Sequence, residues 1–246
     1  IFIEKYFERL ILKNCSHVFP ANNDNANFVK SYLKNSKNIK VIRYGPLIND
    51  CHYIERKKRI VNDSNLLKYK KKNSLTVTCI SRLEKVKKVD HVIKIFSKLL
   101  ETNKDIILFL VGEGSLKAHY INMVNNLNIS DNVYFAGDKN QYWISELLSF
   151  TDLVLSPHTG RALCEAALAG CNIAGYDIDW QSEIITDKKN GFLVKYGDID
   201  KLFYYANELL INQTKYANFS VNVREKALKI LNKKKNIADE VMIFNK

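Results

Sequence analysis

Length, composition and charge limit the classes of protein that this sequence can encode. At 246 residues, with 46% hydrophobic and 11% aromatic residues, the chain is long enough for one full domain and part of a second, and its composition excludes a disordered or fibrous protein. The formal net charge of +12 fits a nucleic acid, an anionic membrane surface or a phosphate-rich ligand as partner. The basic runs contain few aromatic side chains that could stack on bases, so no nucleic acid is expected.

Cysteine usage and the length of the apolar runs exclude further classes. The five cysteines are scattered and never form a Cys-x-x-Cys pair, so neither a zinc site nor a disulfide framework is predicted. Apolar runs such as Ile106 to Val111 are far shorter than the ~20 residues that cross a bilayer. We therefore expect a cytoplasmic protein. Because the sequence begins Ile1-Phe2-Ile3, we also expect it to be the later portion of a longer polypeptide.

The first 50 residues predict the end of one α/β domain. Residues 1–13 form an amphipathic helical pattern, for which docking on a neighbouring domain is favoured over binding at a membrane surface. Cys15 to Pro20 and Ile39 to Tyr44 predict two strands separated by a helix and ended by Gly45-Pro46. The polar and strongly basic residues 51–73 then predict a linker.

Residues 74–246 predict a second domain with helices at its C-terminal end. Short apolar runs alternate with longer helical periods, which is typical of parallel βαβ units. The predicted strands are Leu75 to Ile80, Ile106 to Val111, Asn132 to Phe135, Asp152 to Leu155 and Asn172 to Tyr176, and the predicted helices are Val89 to Glu101, Ser115 to Leu127, Gln141 to Phe150, Arg161 to Ala169, Asp198 to Ile211 and Val223 to Leu231. The predicted fold class is α/β, a Rossmann-like doubly wound parallel sheet.

Two cations follow the first strand of this domain. In an open parallel sheet, ligands bind beyond the carboxyl ends of the strands, and Arg82 and Lys87 stand at that edge. A guanidinium grips phosphate oxygens in pairs and an ammonium adds a mobile point charge, so the two suit a diphosphate. The alternative interpretation is a solvated basic loop.

Glycines follow the second strand. Gly112 and Gly114 could let the backbone approach a ligand, or could simply turn the chain into a helix. They lack the remainder of a dinucleotide-binding Gly-x-Gly-x-x-Gly pattern, so both interpretations stay open.

The loop after the fourth strand carries the strongest signal. It runs from Ser156 through Pro157, His158, Thr159, Gly160 and Arg161 to Glu165. Thr159 predicts a helix N-cap, and Gly160 with the free amides of residues 160–162 predicts an anion site at the helix N-terminus. Glu165 lies about one turn further along, where a carboxylate can accept hydrogen bonds from the two hydroxyls of a ribose. The alternative is a surface glutamate.

An Asp-x-Asp pattern follows the fifth strand. Asp177 and Asp179 could ligate a metal that bridges a diphosphate. The same pattern recurs at Asp198 and Asp200, which shows how easily it arises by chance. No metal and no other cofactor is expected.

Together these loops resemble glycosyltransferase family 4, the group 1 glycosyltransferases, which are two-domain GT-B enzymes with a nucleotide-sugar site in the C-terminal domain. Arg82-Leu83 with Lys87 is similar to the family's Arg-Leu-x3-Lys-Gly segment, with Lys88 at the usual glycine. Gly112 and Gly114 match its Gly-x-Gly turn. Glu165-Ala166 and Gly170 match the end of its Glu-x7-Glu motif, whereas Pro157 stands where the first glutamate is usual.

The resemblance implies a role for each of these positions. Arg82 and Lys87 would bind the diphosphate, Glu165 the ribose hydroxyls, and the loop after Gly137 the base. Gly112, Gly114, His158, Thr159, Gly160 and Arg161 complete the predicted substrate-binding set, and no catalytic base can be named. Residues 1–50 resemble the end of the acceptor-side domain and residues 74–246 the nucleotide-sugar-binding domain.

The sequence thus predicts a retaining glycosyltransferase of the hexosyl or N-acetylhexosaminyl type. It would move a sugar from a nucleotide-sugar donor, with UDP as the base-rate choice, to a glycan or lipid-linked acceptor. Its basic charge would permit peripheral contact with an anionic membrane at the inner face. The alternatives are a nucleotide-sugar-binding module without turnover, which Pro157 favours, a GT-B-fold sugar-nucleotide epimerase and, more distantly, a nucleic-acid binder.

Overall fold

A computed structural model of the protein describes residues 2–33, 39–42, 47–71 and 74–244. Its helices, in chain order, are α1 (Phe2–Asn14), α2 (Asn23–Tyr32), α3 (Ser64–Lys71), α4 (Val89–Thr102), α5 (Lys117–Asn126), α6 (Gln141–Phe150), α7 (Arg161–Ala169), α8 (Gln181–Ile184), α9 (Ile199–Ile211), α10 (Ala217–Ile230) and α11 (Lys233–Phe244). The chain forms two compact units, one of residues 48–229 and one that combines residues 1–47 with 230–246. The domain boundaries that the sequence suggests remain predictions.

A parallel sheet organises the larger unit. Its strands are β1 (Leu75–Ile80), β2 (Ile106–Val111), β3 (Val133–Gly137), β4 (Leu153–Ser156), β5 (Asn172–Tyr176) and β6 (Phe192–Val194). Within the described residues they form one six-stranded sheet in the order β3-β2-β1-β4-β5-β6, parallel at each pairing. This is the order of the Rossmann fold, in which the chain runs outward from β1 and then resumes beside it at β4. The predicted fold class is confirmed.

Burial on both faces explains why these segments form a parallel sheet. All six residues of β2 are buried, as expected for a strand covered by helices on both sides. On α4, buried Val92, Phe96 and Leu99 recur three or four residues apart and so share one helix face. This face joins the strands in the main core, together with Leu202 and Leu209 of α9.

The strands and helices of the larger unit largely follow their sequence patterns. β1, β2, β5, α6 and α7 have the predicted bounds. The other predicted elements of this unit shift by one or two residues, except that α10 begins six residues before the predicted Val223. Two short elements, α8 and β6, were missed, because four and three residues are too few to show a period. Outside this unit α11 was missed as well.

The basic segment that suggests a linker is ordered and packed over most of its length. It forms 3₁₀ helices at Asp50–Tyr53 and Arg56–Lys58, followed by α3. Arg56 Nε donates to Ser149 O at 2.8 Å, and Arg59 Nη1 donates to Ser145 O at 2.9 Å. Arg56 and Arg59, whose basic character suggests exposure to solvent, thus bind carbonyl groups of α6, and the role of the segment as a linker between domains stays a prediction.

The smaller unit contains α1, α2 and α11. Two strands are predicted around α2, but the described residues form only an isolated parallel bridge between Val18 and Ile39. A single bridge lacks the neighbouring strands that stabilise a sheet. Tyr44 and Gly45-Pro46, which belong to the second predicted strand and its end, lie outside the described residues. Lys40 Nζ lies 3.0 Å from Asp239 Oδ1, which links the first part of this unit to α11.

None of the helices in the described part of the chain is both long enough and apolar enough to cross a bilayer.

Candidate functional site

A cavity of about 570 Å³ opens at the carboxyl edge of the sheet in the larger unit. It lies where β1 and β4 are neighbours but their following chain segments depart in opposite directions, which is the usual ligand position in such sheets. The predicted site residues that line it are Arg82, Lys87, Gly112, His158, Thr159, Gly160, Arg161 and Glu165. Gly114 is not among the lining residues. Whether these residues bind a nucleotide sugar stays a prediction.

The loop after β1 places two cations at one wall of the cavity. Arg82 is exposed, whereas Lys87 is half-buried at the end of a 3₁₀ turn. Burial, with a smaller effect of the Arg82 guanidinium, lowers the pKa of Lys87, and Asp179 opposes this shift. Lys88, at the family's usual glycine, has a left-handed backbone with φ of 54°. Glycine adopts that conformation at lower cost, which accounts for the family's preference.

Lys87 contacts the turn that follows β4. Its Nζ lies 3.1 Å from His158 Nδ1 and donates to Thr159 O at 3.4 Å. The β1 and β4 loops are therefore connected across the cavity. An anion bound beside Lys87 would also lie next to the N-terminus of α7.

Gly112 and Gly114 serve packing between loops. A Cβ on Gly112 would lie 2.2 Å from Ser81 O, and one on Gly114 would lie 2.5 Å from Leu83 O. Leu83 N donates to Glu113 O at 2.9 Å, so the loops after β1 and β2 lie against each other. The close approach that these glycines permit is thus to the backbone of the neighbouring loop.

The prediction that Thr159 caps α7 is wrong. The N-cap is Gly160 and no side chain caps the helix, while the Thr159 hydroxyl donates to Asp179 Oδ2 at 2.8 Å. Because the Thr159 hydroxyl is bonded to Asp179 in the loop after β5, it does not accept a hydrogen bond from the amides of the helix. Leu163 N donates to Gly160 O at 3.1 Å, whereas the N–H groups of residues 160–162 have no hydrogen bond among the described residues and are left to bind an anion.

Gln181 holds the strand end that precedes this turn. Its Oε1 accepts from Ser156 Oγ at 2.8 Å, and its Nε2 donates to Ser156 O at 3.2 Å and to Tyr176 O at 2.7 Å. Gln181 is fully buried. The turn that contains Pro157 and His158 is therefore anchored to β4 and β5 before any ligand binds.

Glu165 lines the cavity with a buried carboxylate. The residue is 1% exposed, and its Oε1 lies 3.0 Å from Nε of Arg161, whose own side chain is half exposed. Burial raises the pKa of Glu165, and the Arg161 guanidinium partly opposes that rise. A surface glutamate is excluded by this burial, and a buried acceptor beside a cavity can receive hydrogen bonds from ligand hydroxyls.

Other residues of the cavity come from the loop after β3. Asp138 and Lys139 follow Gly137 and line the cavity together with Ile144 of α6. Lys139 Nζ lies 5.0 Å from the ring centre of Trp143, a cation–π contact. This loop is the one in which the family resemblance places the base.

Sequence reasoning missed His52. Its imidazole is fully buried, and its Nε2 lies 3.8 Å from Glu165 Oε1. No motif singles it out, because the contact joins residues more than a hundred positions apart. The Asp-x-Asp pair likewise gains a role only from the structure, since Asp179 binds Thr159. Among the described residues, no group of three or more His, Cys, Asp and Glu side chains could hold a metal ion.

Comparison with known proteins gives a consistent result. A family model described as "Glycosyl transferases group 1" matches residues 63–226. N-acetyl-alpha-D-glucosaminyl L-malate synthase of Bacillus anthracis is 30% identical over 169 residues, which are 67% of this chain and 44% of that protein. The chain thus spans less than half the length of this relative.

Solved structures share the fold. The structure of a TarM mutant of Staphylococcus aureus in complex with Fondaparinux, alpha-GlcNAc-glycerol and UDP has a TM-score of 0.77 at 20% identity, covering 97% of this chain and 46% of that chain. Anabaena HepE in complex with UDP and glucose has a TM-score of 0.75 at 19% identity, covering 97% of this chain and 68% of that chain.

Proposed function

This chain belongs to the group 1 glycosyltransferases, and on that premise we propose that it binds a nucleotide-sugar donor and takes part in transferring its sugar to a hydroxyl acceptor. The acceptor is a glycan or a lipid-linked saccharide. Within the family we assign it to glycosyltransferase family 4, on the motif resemblance around Arg82, Lys87 and Glu165.

One observation carries this proposal: a single cavity is lined by the cations Arg82 and Lys87 and by the buried carboxylate of Glu165. Arg82, Lys87 and the uncapped N-terminus of α7 suit the two phosphates, and Glu165 suits the ribose hydroxyls. Arg82 and Lys87 come from the loop after β1 and Glu165 from α7, which follows the neighbouring strand β4. A surface basic patch would bind anions but would lack the buried acceptor.

The chemistry that these groups favour is departure of the diphosphate. When the bond between the sugar's anomeric carbon and the β-phosphate oxygen breaks, negative charge develops on that oxygen. Arg82, Lys87 and the amides of α7 stabilise this charge, which is the largest catalytic effect that this site can supply. The cations also take the place of a divalent metal, so the proposal includes no metal.

The finer assignments rest on relatives. N-acetyl-alpha-D-glucosaminyl L-malate synthase of Bacillus anthracis and the UDP complexes of TarM and HepE favour a UDP donor and a hexosyl or N-acetylhexosaminyl group. Retention of anomeric configuration follows from the family assignment. With a net charge of +12, we place the protein in the cytoplasm, with peripheral contact to an anionic inner membrane surface.

A specific observation favours a second function, donor binding without turnover. Pro157 lines the cavity at the position where the family's first glutamate is usual. In the family that carboxylate usually contacts the transferred sugar, and the side chain of proline can form no hydrogen bond in its place. A nucleotide-sugar-binding module would keep the diphosphate and ribose contacts and lack transfer.

Thermal stabilisation by nucleotides tests the proposal. We expect UDP, ADP or GDP at about 100 times its Kd to stabilise the protein by about 2.7 kcal/mol, or about 5–10 °C in Tm. Arg82→Ala and Glu165→Ala should each reduce this shift by about half or more, since a tenfold loss of affinity leaves about 1.4 kcal/mol of stabilisation. Lys85→Ala is the matched control, because Lys85 is exposed two residues from Lys87 and does not line the cavity.

The outcomes separate the candidate functions. If no nucleoside diphosphate raises the Tm of the wild type, both donor-binding functions are wrong. If nucleotide binds but the full-length protein neither transfers nor hydrolyses the sugar, the binding-module function holds. Salt-sensitive binding to DNA or RNA that is indifferent to Arg82→Ala would point to a nucleic-acid binder.

A further inference from the structure

His52 contacts the carboxylate of Glu165 without lining the cavity. It lies in the 3₁₀ helix Asp50–Tyr53, which packs against α6 and α7. The imidazole is fully buried, and Nε2 lies 3.8 Å from Glu165 Oε1. His52, which belongs to none of the family motifs, thus lies next to Glu165, the residue proposed to bind the ribose.

The hydrogen bonding of this buried pair is incomplete. Within the described part of the chain, three atoms of this pair lack a hydrogen bond of normal geometry: Nδ1 and Nε2 of His52 and Oε1 of Glu165. Buried polar groups are rarely left so, and such exceptions call for an explanation beyond packing. Arg161 Nε approaches the same oxygen at 3.0 Å from the cavity side.

The surroundings of His52 keep its ring neutral. Burial first, and then the nearby Arg59 and Arg161 guanidiniums, lower its pKa to about 3, while the Gln141 backbone has a small opposing effect. Cys51 is its neighbour on the same 3₁₀ helix and lies near Glu165 and Arg59 as well. A neutral ring keeps one N–H donor, and it does not neutralise the carboxylate as a second cation would.

We propose that His52 is a positioning residue for Glu165. With hydrogen on Nε2, the ring directs its N–H at Oε1, and together with Arg161 it fixes that oxygen. Because both contacts are made with Oε1, the second oxygen, Oε2, is the one presented to the ribose hydroxyls. This inference rests on the proposed function, since it requires a nucleotide in the cavity.

Binding of a nucleotide with and without ribose hydroxyls tests this role. Calorimetry on the full chain gives the Kd of whichever of UDP, ADP and GDP binds tightest, and the Kd of its 2′,3′-dideoxy analogue. For the wild type we expect the hydroxyls to improve affinity by about tenfold or more, since they bond to a charged acceptor. In His52→Phe we expect this ratio to fall to about threefold or less, through weaker binding of the ribonucleotide alone.

The ratio separates positioning from structural damage. A variant that merely loosens the site weakens both ligands and leaves the ratio unchanged. His52→Gln keeps an N–H donor and should retain most of the ratio. Val61→Ala is the matched control, because Val61 is buried in the same segment and should keep the full ratio.

Each result decides the matter. An unchanged ratio in folded His52→Phe overturns the role of His52 and leaves the proposed function standing. Absence of nucleotide binding by the wild type overturns the proposed function and this inference with it. If His52→Phe does not fold, ring ¹⁵N spectra of the wild type must show hydrogen on Nε2 and a shift with the ribonucleotide but not with its dideoxy analogue. A ring without hydrogen on Nε2 overturns the inference.

Discussion

Lys87 and Glu165 bring opposite charges into one cavity, and burial disfavours both charges. The pKa of Glu165 is raised above its ordinary value of 4.5 by burial, with Arg161 opposing. The pKa of Lys87 is lowered below its ordinary value of 10.5 by burial and by Arg82, with Asp179 opposing. A ligand that needs the ionised carboxylate and the protonated ammonium therefore binds over a narrower pH range than ordinary residues would allow.

We expect nucleotide affinity to decline at both ends of the pH range. As pH falls through the raised pKa of Glu165, the carboxylate gains a proton and accepts ribose hydrogen bonds less well. As pH rises through the lowered pKa of Lys87, the ammonium loses the proton that attracts phosphate. Calorimetric Kd values from about pH 4 to about pH 10 would measure both limbs.

Two variants assign these limbs. The nucleotide's own phosphate gains a proton near about pH 6, which accounts for part of the loss of affinity at low pH. Glu165→Gln should remove the remaining part of that loss. Lys87→Arg should remove the alkaline limb, because a guanidinium keeps its proton throughout this range. If both variants keep the wild-type profile, neither residue contacts the nucleotide as proposed.

The sequence locates some of the site residues because they directly follow strands. Arg82, Lys87 and Glu165 could be placed in one cavity from strand periodicity and the geometry of parallel sheets. Thr159 could not be placed correctly, since local capping preference competes with a carboxylate twenty residues further along the chain. His52 could not be found at all, because its contact with Glu165 depends on how a separate segment packs.

At the scale of elements, the loops after β1 and β2 pack against each other where they line the cavity. Gly112 has φ of 133°, and a Cβ there would lie 2.2 Å from Ser81 O. Gly160 is N-cap of α7, and a Cβ there would meet nothing within 4 Å. Packing against Ser81 therefore requires glycine at position 112, whereas position 160 has room for a larger side chain beside the cavity.

Alanine at these two glycines should therefore have contrasting effects. We expect Gly112→Ala to lower the free energy of unfolding by about 2–4 kcal/mol, because strain and overlap with backbone add together. Gly160→Ala should cost under about 1 kcal/mol, as the loss of a favourable N-cap residue. Urea unfolding of both variants measures the difference, and equal losses would contradict the close loop contact at Ser81.

Element prediction succeeded where a strand or helix carries its own period. β2, with six buried residues, and α4, with a full apolar face, are readable from the sequence alone. β6 has three residues and exists through its pairing of Ala174 with Phe192 and Tyr176 with Val194. Such an edge strand is specified by its neighbour, so local patterns do not reveal it.

At the scale of the whole molecule, the smaller unit draws on both parts of the chain. Residues 1–47 and 230–246 cluster together, and the Lys40–Asp239 ion pair joins them. Residues 48–229 form a contiguous unit with its own sheet and core. The stability of each unit should therefore respond separately to changes in its own residues.

Removal of α11 tests this separation. We expect deletion of residues 233–244 to expose α1 and α2 to hydrogen exchange, because they lose part of their own compact unit. Exchange in β1, β2 and β4 should stay unchanged, and the nucleotide-induced Tm shift should persist. An Asp239→Asn variant is the milder control, since a partly exposed ion pair such as Lys40–Asp239 contributes about 1 kcal/mol or less. Loss of protection throughout the sheet would show that the units are not independent.

The smaller unit is built from two segments that are far apart in the sequence, and this determines which unit can fold first during synthesis. The segment 48–229 is complete on the ribosome before residues 230–246 have been translated, so its Rossmann sheet can form while the chain is still growing. Residues 1–47 can complete their unit only after α11 has been translated. The cavity at the carboxyl edge of the sheet can therefore form before residues 1–47 complete their unit with residues 230–246.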